Sequence, residues 1–287
     1  MAIGFIGLGT MGMPMAKCLR KNDCAVHGWD VSEQAMQEFG SSVESIATLG
    51  ATCDQIVTML PEGEHVSLVY EQLLASELSE GCLFVDCSTI DVDTTRKLAE
   101  RVTMVGHQFV DAPVSGGSEA AATGSLSFMI GGASVAIERA LPLLEAMGSK
   151  LTEFGEAGAG QAAKACHNMI CGITALGVCE AFALADALGL DLDKFFRLCQ
   201  GAAAQSWILE NRCPIPGPAP NAPASNDYAP GFAARLMAKD LGLAQQAAAA
   251  SDQTTEFGAA AARRFREFVE TGDGDLDFSA IYRSIRK

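Results

Sequence analysis

Residues 2–13 read AIGFIGLGTMGM. An apolar run leads straight into a turn that contains Gly7, Gly9, Met11 and Gly12, and a helical pattern follows. Glycines at this spacing let the chain turn tightly and let its backbone approach a pyrophosphate, which then meets the N-terminal N–H groups of the helix. The stretch therefore predicts a strand, a phosphate-binding turn and a helix, which together open a dinucleotide-binding sheet. The alternative is a plain strand–turn–helix without a ligand.

The end of the next predicted strand indicates which dinucleotide binds. The run CAVHGW (24–29) is followed by Asp30, 18 residues after Gly12. A carboxylate there accepts hydrogen bonds from a ribose 2′-hydroxyl and repels a 2′-phosphate. Residues 31–40 contain two glutamates and no cation. NAD is therefore favoured over NADP.

The order of strand and helix patterns predicts an α/β fold in two domains. Short β-branched runs alternate with amphipathic stretches up to residue 155, which indicates a Rossmann-type, doubly wound parallel sheet. Helical patterns dominate afterwards, beginning with a long one at about 161–189. We therefore expect an NAD-binding domain over residues 1–160 and an all-α substrate and oligomerisation domain over 161–287, joined by this interdomain helix. The predicted strands are 2–7, 24–29, 55–60, 83–86, 107–111, 126–132 and 150–154.

Composition excludes several classes of function. The net charge of −15 argues against nucleic acid or an acidic membrane surface as a partner, because binding phosphates needs clustered Lys and Arg. The 10 cysteines are scattered, with no metal-ligand spacing, which is typical of free thiols in a reducing cytosol. A strand predicted from Ala2 leaves no room for a targeting segment, and the apolar run 165–179 is shorter than the ~20 residues that a bilayer requires. We expect a cytoplasmic protein without a metal.

Lys164 lies in GQAAKACHN (160–168), at the start of a long apolar helical pattern. Asn168 follows four residues later and projects from the same helix face. Burial lowers the pKa of an ammonium, so Lys164 is a candidate proton acceptor and donor in catalysis. The alternative is a lysine that reaches the surface at the helix end. His167 is a rival base, although its direction differs from that of Lys164 by about 100° around the helix.

Four blocks in this order resemble the β-hydroxyacid dehydrogenases: FIGLGTMGMPMA (5–16), DAPVSGG (111–117), GQAAKACHN (160–168) and KDLGLA (239–244). This family contains 3-hydroxyisobutyrate dehydrogenase, tartronate semialdehyde reductase and, more distantly, 6-phosphogluconate dehydrogenase. The resemblance covers essentially the whole chain and implies a homodimer or homotetramer. Two positions depart from the family pattern: Cys18 and His167 stand where asparagine is usual.

The resemblance implies a role for individual residues. Lys164 matches the catalytic lysine and Asn168 the asparagine that helps to hold the substrate. Ser115, Gly116 and Gly117 match the loop that binds the substrate carboxylate, which backbone N–H groups and a hydroxyl suit chemically. The matches to cofactor contacts are Leu60, Pro61 and Thr89, with Lys239 at the nicotinamide end.

The resemblance also implies a reaction. The expected activity is NAD-dependent oxidation of 3-hydroxyisobutyrate to methylmalonate semialdehyde. Other short β-hydroxyacids (tartronate semialdehyde in the reducing direction, L-serine, 3-hydroxypropionate) are alternatives, as is a non-catalytic dinucleotide-binding module. The segment 213–232, with six of the ten prolines, resembles the corresponding loop of 3-hydroxyisobutyrate dehydrogenases. Trp207 and Phe232 are candidates for an apolar wall beside a substrate methyl group.

Overall fold

The computed structural model describes residues 2–286 and divides the chain into two compact units, Met1–Lys164 and Ala165–Lys287. The domain boundary predicted between residues 160 and 161 lies four residues before this division. Both positions fall inside one helix of 29 residues, which begins in the first unit and continues in the second. Each unit has a hydrophobic core of its own, since no core cluster of the first unit shares a buried residue with that of the second.

The first unit is an eight-stranded sheet with helices. Its strands are β1 (Ala2–Ile6), β2 (Ala25–Trp29), β3 (Gln55–Thr58), β4 (Leu83–Asp86), β5 (Gln108–Asp111), β6 (Val114–Ser115), β7 (Leu126–Gly132) and β8 (Gly148–Gly155). Its helices are α1 (Gly12–Lys21), α2 (Glu33–Phe39), α3 (Ile46–Thr52), α4 (Gly63–Leu74), α5 (Val92–Met104), α6 (Gly117–Thr123) and α7 (Ser134–Glu145). The strand order is β2-β1-β3-β4-β5-β7-β6, and β8 pairs with β7.

Strands β1 to β5 pair in parallel, so the predicted Rossmann-type sheet is confirmed. Strands β3 and β4 are buried throughout, because helices cover both faces of a parallel sheet. Beyond β5 the pairing changes direction, because β7 pairs antiparallel with both β5 and β6. The chain passes from β5 to β6 in one direction, and the short α6 then turns it back along the same edge.

The second unit contains the rest of the 29-residue α8 (Ala159–Ala187), followed by α9 (Leu192–Cys199), α10 (Trp207–Asn211), α11 (Ala234–Ala250), α12 (Glu256–Phe268) and α13 (Tyr282–Ile285). Short 3-10 segments cover Pro223–Asn226 and Phe278–Ile281, and a π-helical turn covers Val269–Asp273. The proline-rich segment 213–232 is packed and not an open loop, since Cys213, Ala222 and Tyr228 are buried in the core of this unit.

Short helices were missed in the sequence: α2, α3, α6 and α10 have five to seven residues each. Periodicity cannot identify helices of one or two turns. Ser32, Ser45 and Ser206 cap α2, α3 and α10 by accepting a backbone N–H through the side chain, and these serines were the available signal.

Helix α8 corrects a further expectation. By length and composition it is apolar enough to cross a membrane, with a mean hydropathy of 1.6 over its best 18-residue window. The run 165–179 stops at the charged residues Lys164 and Glu180, whereas the helix continues through both and stays apolar on average. One such helix is weak evidence for a membrane span, because core helices of soluble proteins pass the same test.

Candidate active site

The glycine turn has the geometry that close backbone packing requires. Gly7 adopts φ +98°, and a Cβ added to it would lie 2.2 Å from the Met59 carbonyl oxygen. A Cβ on Gly12 would lie 1.8 Å from the carbonyl oxygen of Gly7, so both positions exclude a side chain. Gly9 is exposed and has nothing within 4 Å of its Cβ position. The backbone at Gly9 is therefore open to a ligand.

The N-terminus of α1 fits a pyrophosphate. Met11 stands at the N-cap and no side chain caps the helix. The first turn holds no acidic residue, so no carboxylate of this turn competes with an anion at the helix N-terminus.

Asp30 follows β2 and faces this turn. Its Oδ2 accepts a hydrogen bond of 2.6 Å from Leu8 N, and its Oδ1 accepts one of 2.8 Å from Ser32 N. The carboxylate is thus held at the glycine turn with lone pairs left for ribose hydroxyls. Within 31–40, Glu38 pairs with Lys17 at 2.8 Å. The residues present fit NAD.

The two other predicted cofactor segments lie side by side. Leu60 and Pro61 follow β3, and Thr89 follows the neighbouring β4, where the carboxyl ends of parallel strands meet. Leu60 N donates a hydrogen bond of 2.9 Å to Ser88 Oγ, which joins the two turns. With Gly7 packed on Met59, the structure brings the predicted cofactor residues of the first unit to one edge of the sheet.

Ser115, Gly116 and Gly117 form the turn between β6 and α6. Gly116 has φ +131° and Gly117 φ +71°, conformations that a side chain would disfavour. All three residues are at least partly exposed. Their backbone can therefore be approached from outside, as a receptor for a carboxylate requires.

Lys164 lies beside this turn. Its Nζ donates a hydrogen bond of 2.7 Å to the carbonyl oxygen of Val114, the residue before Ser115. The lysine is only 7% exposed, so it does not reach the surface as the alternative interpretation required. The structure thus brings Lys164 and the 115–117 turn together within the first unit.

The second unit joins the remaining predicted residues. Asn168 Nδ2 donates a hydrogen bond of 2.5 Å to Asp240 Oδ2, and Asp240 Oδ1 lies 3.4 Å from Lys239 Nζ. Asn168 and Asp240 are 4% and 3% exposed. On the other side, His167 Nδ1 is 2.8 Å from Asn168 Oδ1 and 3.8 Å from Cys171 Sγ. Asn168 and Lys239 are therefore linked through Asp240, a residue that the sequence marked only as a neighbour of Lys239.

Two buried residues that hold the start of α8 were missed: Asp111 at the end of β5 and Gln161 in the helix itself. Asp111 Oδ1 accepts a hydrogen bond of 2.7 Å from Gly158 N, and its Oδ2 accepts one of 2.9 Å from Gln161 N. Gln161 Nε2 donates 2.7 Å to Ser88 O. Burial raises the pKa of Asp111 to about 6, against these N–H groups, which lower it. The aspartate of DAPVSGG was the available signal, since a carboxylate at the end of a buried strand needs a partner.

Residues 2–286 hold no group of three or more His, Cys, Asp or Glu side chains placed to bind an ion. The ten cysteines are free, and seven of them are buried.

Family models match both halves of the chain. Residues 2–155 match the NAD-binding domain of 6-phosphogluconate dehydrogenase, and residues 158–285 match a domain described as NAD-binding of NADP-dependent 3-hydroxyisobutyrate dehydrogenase.

Full-length relatives agree with these matches. A probable 3-hydroxyisobutyrate dehydrogenase of Mycobacterium bovis is 41% identical over 99% of this chain and 97% of its own length. An NAD-dependent L-serine dehydrogenase of Pseudomonas aeruginosa is 39% identical over 98% of this chain and 96% of its own. Among solved structures, Mycobacterium tuberculosis 3-hydroxyisobutyrate dehydrogenase with L-serine superposes with a TM-score of 0.95 at 40% identity, covering 100% of this chain and 99% of that one.

Proposed function

The chain belongs to the β-hydroxyacid dehydrogenase family, the group of 3-hydroxyisobutyrate dehydrogenase, and on that basis we propose that it oxidises 3-hydroxyisobutyrate to methylmalonate semialdehyde with NAD. The observation that carries the proposal is the position of Lys164. The buried ammonium of Lys164 donates to the carbonyl of Val114, the residue directly before a glycine turn that suits a carboxylate. A β-hydroxyacid presents a carboxylate and, two carbons away, the hydroxyl that must lose a proton.

We propose that Lys164 moves that proton. NAD would supply the hydride acceptor for the carbinol carbon. Oxidation also needs a base that takes the hydroxyl proton as the carbonyl forms. Lys164 Nζ takes it in its neutral form and, once protonated, returns it to the carbonyl oxygen in the reverse direction. The Val114 carbonyl fixes the direction of Nζ and can accept a hydrogen bond in either protonation state.

The other roles follow the resemblance residue by residue. The Ser115 hydroxyl and the N–H groups of Gly116 and Gly117 hold the substrate carboxylate. Asn168 binds the substrate through its amide, whose orientation is supported by the hydrogen bond to Asp240. Lys239 contacts the nicotinamide end of the cofactor, with Asp240 beside it.

The residues proposed to hold the cofactor lie at the carboxyl ends of the parallel strands in the first unit. Gly7, Gly9, Met11 and Gly12 hold the pyrophosphate, and Asp30 holds the ribose. Leu60, Pro61 and Thr89 contact the remainder of the dinucleotide. These roles are supported by the uncapped N-terminus of α1 and by the open space at Gly9.

The substrate's methyl group favours an apolar wall. Phe232 packs on Phe278 with ring centroids 6.0 Å apart, and it ends a proline-rich segment whose Cys213, Ala222 and Tyr228 are buried in the core of the second unit. Trp207 is 57% exposed and has the Arg212 guanidinium over its ring at 5.0 Å. One methyl group contributes only ~1–3 kcal/mol of discrimination, so we propose a preference and not an exclusive substrate.

L-Serine is the second candidate substrate. Two relatives of similar identity point to it: one is named an L-serine dehydrogenase, and the other structure is described with L-serine. Serine carries an amine where 3-hydroxyisobutyrate carries a methyl group. The amine favours polar side chains at the position where the methyl group favours apolar ones.

We also propose a cytoplasmic homodimer or homotetramer that acts in valine breakdown. The proposal rests on the family resemblance and on the buried, free cysteines.

Initial rates test the proposed function. kcat/KM is measured with NAD and with NADP for 3-hydroxyisobutyrate, 3-hydroxypropionate, L-serine and glycerate side by side. We expect 3-hydroxyisobutyrate with NAD to be the best pair. If serine or glycerate is better by tenfold or more, the assignment to 3-hydroxyisobutyrate is wrong. If no β-hydroxyacid is turned over, the chain is a non-catalytic dinucleotide-binding protein.

A further inference from the structure

We propose that Asp111 is a positioning residue for Lys164: its carboxylate fixes the first turn of α8 on the end of β5 and so places the lysine Nζ. This inference rests on the proposed function, because it concerns the residue that moves the proton there. Asp111 contacts neither substrate nor cofactor in this proposal.

The two oxygens of Asp111 accept hydrogen bonds from two different residues at the start of α8. Oδ1 accepts from Gly158 N and Oδ2 accepts from Gln161 N, at 2.7 and 2.9 Å. Gly158 O begins the helical hydrogen bonds by accepting from Ala162 N at 3.0 Å. The carboxylate therefore satisfies two of the N–H groups that a helix start leaves without helical partners, and its negative charge lies at the positive end of the helix dipole.

The backbone is packed so closely around this contact that two glycines there have no room for a Cβ atom. A Cβ on Gly160 would lie 2.3 Å from Met129 O and 2.8 Å from Asp111 Oδ2. A Cβ on Gly131 would lie 2.6 Å from Asp111 Oδ1 and 2.8 Å from Gly160 N. The first turn of α8 thus touches the ends of β5 and β7 directly, and its position follows that of the carboxylate.

One short segment holds both the helix start and the catalytic group. Asp111 binds Gly158 and Gln161, and three residues later the Val114 carbonyl accepts from Lys164 Nζ. Ser115, the first residue of the carboxylate-binding turn, follows immediately. A shift of the first turn would therefore move Lys164 relative to the turn that holds the substrate, and a displacement of about 1 Å can cost about 10²-fold in rate.

The surroundings of Asp111 contain groups that favour its neutral form and groups that favour its charged form. Burial raises the pKa of its carboxyl to about 6, and Asp86, its register partner on β4, raises it as well. The Gly158 and Gln161 N–H groups oppose both effects. The charged side chain that α8 directs toward this segment is Lys164, through Val114 O. Protonation below about pH 6 would remove the anion that accepts the two N–H groups.

Asp111→Asn tests the proposal, because the amide keeps the volume but presents an NH2 group to one of the two N–H donors. We expect kcat for 3-hydroxyisobutyrate to fall about 10²-fold, with KM for NAD within about twofold of wild type. In the Lys164→Ala background the same substitution should change the residual rate by less than about threefold. The control is Asp91→Asn, which alters the N-cap aspartate of α5 and should leave kcat unchanged.

A pH profile in the reducing direction separates Asp111 from Lys164. Reduction of methylmalonate semialdehyde by NADH needs protonated Lys164, so a profile governed by the lysine alone does not fall at low pH. We expect the wild-type kcat to fall below about pH 6, and this fall should be absent in Asp111→Asn. The NMR shifts of the Gly158 and Gln161 backbone amides in the wild-type protein should titrate with the same midpoint as kcat. This measurement uses the wild-type protein alone, so it does not depend on whether a variant folds.

Each outcome decides between the proposals. An equal loss in the Lys164→Ala background, or amide shifts whose midpoint differs from that of the rate, assigns Asp111 a general structural role and leaves the proposed function intact. A kcat within about threefold of wild type in Asp111→Asn overturns the positioning role outright. If Lys164→Ala keeps more than about a tenth of the activity, the proposed base is wrong and the positioning role fails with it.

Discussion

Lys164 Nζ donates a hydrogen bond of 2.7 Å to the backbone carbonyl of Val114. The two residues are 50 positions apart, and the contact joins the first turns of α8 to the first residue of β6. It places the buried lysine beside the turn Ser115–Gly117, which begins at the residue after Val114. Two sequence blocks that the family resemblance treats as separate are therefore neighbours, and the predictions about catalysis depend on this contact.

Replacing Lys164 should abolish most of the activity without abolishing cofactor binding. We expect Lys164→Ala to lower kcat by about 10²–10⁴-fold, the usual loss when general acid–base help is removed. The dissociation constant for NAD, measured by titration, should change little, because the glycine turn is untouched. Lys97→Ala, at an exposed lysine of the same unit, is the control. Should Lys164→Ala stay active, another residue is the base, and His167→Asn is the next variant.

Asp30 should determine the choice of cofactor. The double variant Asp30→Asn with Val31→Arg removes a charge that repels a 2′-phosphate and adds a cation beside it. Val31 is 87% exposed, so the arginine can be accommodated. We expect kcat/KM for NAD to fall and that for NADP to rise. A wild-type enzyme that already prefers NADP would contradict this interpretation of β2.

Two glycines of the first turn should respond differently to an added methyl group. In Gly12→Ala the Cβ would meet Gly7 O at 1.8 Å, so both the melting temperature and NAD binding should decrease. In Gly9→Ala the Cβ meets nothing within 4 Å, so the melting temperature should hold while NAD binding weakens. Thermal unfolding with and without NAD measures both effects. Unchanged NAD binding in Gly9→Ala would show that the dinucleotide does not approach the backbone there.

Phe232 should contribute to the preference for a methyl-bearing substrate. We expect Phe232→Ala to reduce the ratio of kcat/KM for 3-hydroxyisobutyrate to that for 3-hydroxypropionate by about tenfold, within the roughly 10–200-fold that one methyl group contributes. Phe257→Ala is the matched control, because Phe257 is 76% exposed in the same unit. An unaltered ratio in Phe232→Ala would exclude Phe232 from the apolar wall.

The raised pKa of Asp111 should appear in the pH dependence of stability. The folded protein binds this proton more tightly than the unfolded chain, because burial raises the pKa of the carboxyl from an ordinary 3.8 to about 6. The resulting stabilisation is therefore complete below pH 3.8 and is lost as pH rises through about 6. We expect the unfolding free energy of wild type minus that of Asp111→Asn to fall by ~1.4 kcal/mol for each pKa unit of the shift. Urea unfolding from about pH 4 to about pH 7 measures it, and a difference that rises with pH contradicts it.

The sequence alone predicted the parts of this protein that depend on neighbouring residues. The strand, glycine turn and helix of residues 2–13, Asp30 after β2, and the long helical pattern around Lys164 are local, because each is specified by spacing along the chain. The alternation of strands and helices was sufficient for the Rossmann-type sheet. Helices of one or two turns were missed because they are shorter than a reliable period, and the antiparallel return of β7 was missed because pairing direction is not encoded in a strand's own pattern.

Only the tertiary structure decided how the candidate site is held. Lys164 could have reached the surface, but its contact with Val114 and its 7% exposure depend on a strand 50 residues away. Asp111 had no assigned role in the sequence, and the fold directs both of its oxygens to the start of α8. The physical reason is the same in both cases. A buried charge must find hydrogen-bond partners, and folding, not the order of residues, determines which backbone groups lie within reach.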